Sequence, residues 1–225
     1  MTATRFHPPT QAVHGALSDW LEDYIKRPHP ELGRSGPVCP FVGPAQRAGA
    51  VELVAHHWSG PRNLEEMSAL VADAIQFFRT APWQSDNTTL RALVVAVTGL
   101  EPSDWRLFDG DTQVVAENAV VAQGLMLGLF HPNCVEPASR NTSFPVNRSP
   151  LPVVVIRNMA FHDILFLHSD PTAFGHYLRR FGSSFADLRR VDPLFAELFT
   201  SAVRRQPTDS GGQDDSDGIN GKPGS

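Results

Sequence analysis

GLMLGLFHPNCVEPASRNTSFPVNRSPLPVVVIR, Gly124 to Arg157, is the stretch that decides the fold. It holds two apolar runs, Gly124–Phe130 and Pro152–Arg157, each short enough and rich enough in Leu, Val and Ile to be a buried strand. Between them lie His131, Pro132, Cys134, Arg140, Arg148 and further prolines, with neither a helical nor a strand period. Structureless links beyond about 12–15 residues are uncommon in compact domains and often line a site. The reading is therefore two main strands of one sheet, joined by a long functional loop that opens on a histidine.

Outward from this stretch, apolar periodicity marks the other elements. Thr10 can open a helix through Ile25, with Ala16, Leu17, Trp20, Leu21 and Tyr24 at helical spacing. Residues 28–40, PHPELGRSGPVCP, must be irregular. Val51–Trp58 and Leu90–Val97 read as strands. Asn63 can cap a helix from Leu64 to about Phe78, whose Met67, Leu70, Val71, Ala74 and Phe78 share one face. Ser103 can cap a short helix, and Val114–Val121 reads as another, with its valines arguing against it. Thr172–Phe181 and Asp192–Arg204 close the domain. The expected class is α+β or mixed α/β, one central sheet of about 4–6 strands flanked by helices.

The chain has 225 residues, 41% hydrophobic and 19% charged, enough for a single core. We expect one globular domain over residues 10–205. Residues 1–9 are expected to be loose, and the Gly/Ser/Asp-rich stretch 206–225 to form a disordered tail. A net charge of −5 excludes a general nucleic-acid binder, which needs a basic face. No apolar run reaches the roughly 18 residues of a membrane span, and MTATRFHPPTQAVHG lacks the apolar core of a secretory signal. The expectation is a cytoplasmic protein with a small-molecule substrate, no nucleic acid or membrane partner, and room for a homodimer. The two cysteines are then reduced thiols.

Candidate chemistry centres on the loop. His131, at a strand end, can be a metal ligand or can simply cap the strand. Cys39 and Cys134 could join it in a thiolate/imidazole site, or be plain buried thiols. Arg140, Arg148 and Arg157 could bind carboxylates or phosphates, or be solvated charges, with Arg157 paired to an acid. His162-Asp163 could be a ligand with its orienting carboxylate, although adjacent residues seldom face each other. No dinucleotide fingerprint, phosphate loop or nucleophile elbow is present.

Several of these segments, in order, resemble the YqcI/YcgG-like proteins: PVCPFVGPAQRAGAVELV (37–54), TLRALVVAV, SDWRLFD, GLMLGLFHP, EPASR and SPLPVVVIRNM. The resemblance spans about residues 37 to 160, and nearer relatives are expected in an uncharacterised bacterial group of domains with the same CPF and FHP segments. It implies a haem-dependent oxygenase that hydroxylates nitrogen on guanidino or amino small molecules. The alternative is a non-catalytic small-molecule-binding or accessory protein on the same scaffold. By the resemblance, His131 is the iron ligand, with His162 the second choice, and Arg140 is the arginine of an Ala-Arg segment. Cys39 and Phe41 answer to a Pro-Cys-x-Phe segment, although Val38 intervenes. With haem as cofactor, Arg140, Arg148 and Arg157 would neutralise the propionates, while Cys39, Phe41, Cys134 and Asn158 are pocket candidates. The chain departs from the pattern at Ser139-Arg140, in place of paired arginines. It departs again at Asn158-Met159-Ala160, where a histidine follows only at 162.

Overall fold

The computed structural model describes residues 5–109 and 117–206. Its centre is a four-stranded sheet in the order β1-β2-β6-β3, made of Val51–His57, Ala92–Thr98, Val153–Asn158 and Leu125–Phe130. A separate two-stranded ribbon pairs β4 (Pro137–Ala138) with β5 (Asn141–Pro145). The fold is mixed α+β, as the alternation of apolar runs implies. β1 and β2 run parallel, and β6 pairs antiparallel with both β2 and β3. It follows that β1, β2 and β3 all point the same way, with β6 inserted against them.

Period-two alternation divides the strand residues between two buried faces. Val54, Leu93, Val95, Val97, Leu125, Leu127, Leu129, Val154 and Ile156 pack with Met67, Leu70, Val71, Ala74, Ile75 and Phe78 of the helix Leu64–Thr80. Asn63 caps that helix by accepting from the Glu66 amide at 2.9 Å, as its position implies. On the opposite face, Ala55, Val94, Ala96 and Val153 meet Leu17, Trp20, Leu21 and Ile25. The helix Gln11–Trp20 runs on as a π-helical turn, Leu21–Ile25, so the expected single helix changes its winding at its end. The helices Pro171–Phe181 and Pro193–Arg205 close a third cluster around Phe174 and Tyr177.

Three expectations change. The segment before residue 10 is not loose from Arg5 onward: Phe6 is buried in the core, and His7 exchanges backbone hydrogen bonds with Ala55 of β1. One aromatic ring supplies the burial that holds it. The 131–152 link is not structureless, because β4 and β5 lie within it. The short helix is Pro102–Phe108, with Glu101, not Ser103, at its N-cap and Asp104 inside its first turn accepting from the Glu101 amide. Of the expected helix at 114–121, residues 117–121 are helical and 114–116 lie outside the described residues. The expected tail lies outside them too, from residue 207. Among the described residues no helix is long and apolar enough to cross a membrane.

Candidate functional site

The register of β3 and β6 separates the sequence candidates into two groups. Phe130 pairs with Val153 and Leu125 with Asn158, so His131 and Asn158 lie at opposite ends of the sheet. At about 3.3 Å per residue, roughly six residues of strand put them some 20 Å apart. His131, Cys134 and Arg148 gather at one end; Cys39, Phe41, Arg157, Asn158 and His162 belong to the other.

At the second end, Arg157 is not a free cation. Its guanidinium donates to both Asp163 oxygens, at 2.8 and 2.6 Å, and lies over the Phe41 ring at 5.3 Å. The His162 ring is exposed and packs edge-on against Phe41 and Phe195. Asn158 donates to the Thr88 carbonyl at 2.6 Å. Cys39 is half-buried near the Arg157 charge. These contacts are internal ties of the fold.

Arg140 stands apart from both groups. It is exposed between β4 and β5, and its backbone carbonyl meets the loop at Gly33. The three arginines thus diverge, and as placed they do not surround one macrocycle. The His131 ring is itself flanked by Trp105 and Phe108, tilted against it at centroid distances of 6.0 and 6.4 Å. His131 with Arg140 and Arg157 does not fit a haem pocket.

The first end lies beyond the carboxyl ends of β1, β2 and β3, the edge where open α/β sheets keep their ligands. Two connections supply it. Leaving β2, the turn Pro102–Phe108 delivers Trp105, Phe108 and Asp109; leaving β3, the chain delivers His131 and Cys134. Alternation along β3 explains the direction of His131. Leu129 packs in the cluster of the long helix and Phe130 in the opposite one, so residue 131 turns back toward Phe108.

His131 is 2% exposed. Its Nε2 lies 2.9 Å from Oδ1 of Asp109, while Nδ1 is buried and, among the described residues, has no hydrogen-bond partner. The neighbouring Trp105 Nε1 is a second buried group without one. One ligand atom each from Asp109, His131 and Cys134 falls within 4.8 Å of the others. These are the residues that could hold a metal ion. Like charges crowd them. Burial pushes the Cys134 thiol up; a hydrogen bond with the Glu136 backbone opposes it, the charges of Asp109 and Glu136 add to it, and Arg148 pulls the other way. Loss of water around its carboxyl, then Asp109, raise Glu136, although the residue as a whole is exposed. Glu117 is raised by burial and then by Glu136 and Asp170.

Against this centre lies an open groove of about 440 Å³, lined by Ala16, Asp19, Trp20, Tyr24, Arg148 and Ser149, with Pro150 at its rim. Ala16, Asp19 and Trp20 fall at i, i+3 and i+4, one stripe of the first helix, and Tyr24 extends it. Trp20 Nε1 donates to the Arg148 carbonyl at 2.8 Å and Tyr24 donates to the Val146 carbonyl at 2.9 Å. Their polar atoms are thereby engaged, which leaves ring surface for the groove. Arg148 Nε donates to the Cys134 carbonyl at 3.3 Å, and among the described residues its Nη1 and Nη2 make no hydrogen bond. A hollow of similar volume beside Leu188 and Thr200 holds none of the candidate residues.

The structure brings His131, Cys134 and Arg148 of the sequence candidates together and sets beside them Asp109 and the Trp20–Tyr24 wall, which the sequence reading did not single out. Asp109 is 22 residues from His131, with no motif spacing to join them. Trp20 and Tyr24 obey core periodicity and read as core. A family model described as Domain of unknown function (DUF6875) matches residues 14–192, and the chain belongs to that family. The match carries no link to haem oxygenases. Neither the curated proteins nor the solved structures contain a match.

Proposed function

We propose that this member of the DUF6875 family binds a small molecule bearing both a carboxylate and an amino or guanidino group, in the groove between the first helix and the segment 146–150. The observation that carries the reading is Arg148. Among the described residues its two terminal nitrogens are unengaged, and Nε anchors the side chain to the Cys134 carbonyl. A guanidinium held in this way presents a fork matched to a carboxylate. The exposed carboxylate of Asp19 lines the same groove and suits a cationic group. Trp20 and Tyr24 offer flat apolar surface between the two charges. The volume is within the usual range for small-ligand sites, about 300–1,000 Å³.

The test is thermal shift with a panel of amino- and guanidino-carboxylates, each beside its carboxyl ester. At about 100 times Kd a ligand adds roughly 2.7 kcal/mol to stability, a clear rise in Tm. The rise should appear with the free acids, shrink with the esters and vanish in Arg148→Gln. Equal shifts for acids and esters, or no shift with any of the panel, would refute the reading. Consumption of the bound compound makes the protein an enzyme; binding without turnover makes it an accessory protein.

A further inference from the structure

We infer that Asp109, His131 and Cys134 hold a single transition-metal ion of the zinc or ferrous class, independently of what occupies the groove. One oxygen, one imidazole nitrogen and one sulfur stand within 4.8 Å of one another. Borderline ions such as Zn²⁺ and Fe²⁺ accept this mixed set, whereas Mg²⁺ and Ca²⁺ select oxygen alone. Three protein ligands with a place left for water or substrate are the pattern of a reactive zinc site rather than a closed structural one.

Two further observations point to a ligand here. His131 Nε2 faces Asp109 Oδ1 at 2.9 Å, so both atoms can turn to one ion, with the ring proton carried on Nδ1. Beside them the Trp105 N–H is buried and, among the described residues, has no acceptor. An oxygen bound to the ion can accept from that indole. On binding, the Cys134 thiol releases its proton to water and the thiolate joins the ion. Asp109, with 40% of its side chain exposed, leaves an entry path.

Titration of the chelator-treated full chain with Co²⁺ tests the inference. Wild-type protein should bind one ion per chain and develop thiolate-to-cobalt absorption together with the visible bands of a tetrahedral site. Cys134→Ser should abolish the thiolate band. Cys39→Ser, at the other end of the sheet, should keep it. Asp109→Asn is at the surface and should leave the far-UV circular dichroism unchanged while weakening affinity at least 10-fold. Absence of the band in wild-type protein, its survival in Cys134→Ser, or unaltered affinity in a folded Asp109→Asn would overturn the assignment. Because the readout is the ion alone, its failure is separable from failure of the groove reading.

Discussion

Asp163 is 1% exposed and carries three hydrogen bonds, two from Arg157 and one from the Ala160 amide at 2.7 Å. A carboxylate so enclosed persists because every lone pair that faces inward is met. Burial pulls the Arg157 guanidinium down, but Asp163 outweighs it, so the guanidinium holds its proton more firmly than usual. Removing one partner strands the other charge. Asp163→Ala should therefore cost about 3–5 kcal/mol of stability, measured as a lowered urea midpoint at unchanged slope. A loss below about 1 kcal/mol, the usual scale of a surface pair, would show that Arg157 finds water or another acceptor. The same residue explains why three arginines near one loop did not make one site. Arg157 is spoken for by an acid six positions on, a pairing that the local sequence allows but does not announce.

The loop 28–40 and the β4–β5 ribbon pack on each other through Leu32, Ala138 and Phe144, against Tyr24 of the groove wall. Gly33 adopts φ +76°, and a Cβ there would sit 2.7 Å from the Arg140 carbonyl oxygen. Asn141 closes the same seam by donating to the Glu31 carbonyl. His29 stacks on Phe144 at 4.2 Å. Gly33→Ala combines a left-handed conformation with a backbone clash, and should cost about 1–3 kcal/mol. Proteolysis is the direct measurement: cleavage should rise within 131–150 and stay unchanged in the long helix. Here the limits of the sequence are visible. The helix Leu64–Thr80 and strands β1, β2, β3 and β6 were legible because burial repeats along each, at 3.6 or 2 residues. β4 and β5 were not, since Pro137, Thr142 and Ser143 carry no apolar alternation and the ribbon is held by its neighbours. Likewise Asp109 looks like any acid after a short helix until the fold brings it to His131.

At the scale of the whole molecule, the sheet is buried on both faces and its outer strands are β1 and β3. The segment before the first helix takes part in this packing. Phe6 is buried against Phe77, with centroids 5.4 Å apart, and Arg5 pairs with Glu66 and Asp73. Phe6→Ala should cost about 3 kcal/mol or more, read as a fall in Tm. A neutral result would restore the loose terminus that the composition implies. Class and sheet size could be read from the sequence because alternating apolar runs permit few architectures. The strand order could not, since nothing local tells β6 to insert between β2 and β3.

That insertion has a consequence for how such a chain can diversify. Because β6 runs against its neighbours, the acid–arginine clasp at one rim and the thiol–imidazole group at the other share strands but no side-chain contacts. Free-energy changes at sites this remote sum almost independently, to within about 0.5 kcal/mol. One rim can then drift, gain a new ligand preference or lose its chemistry altogether, while the other goes on holding the sheet closed.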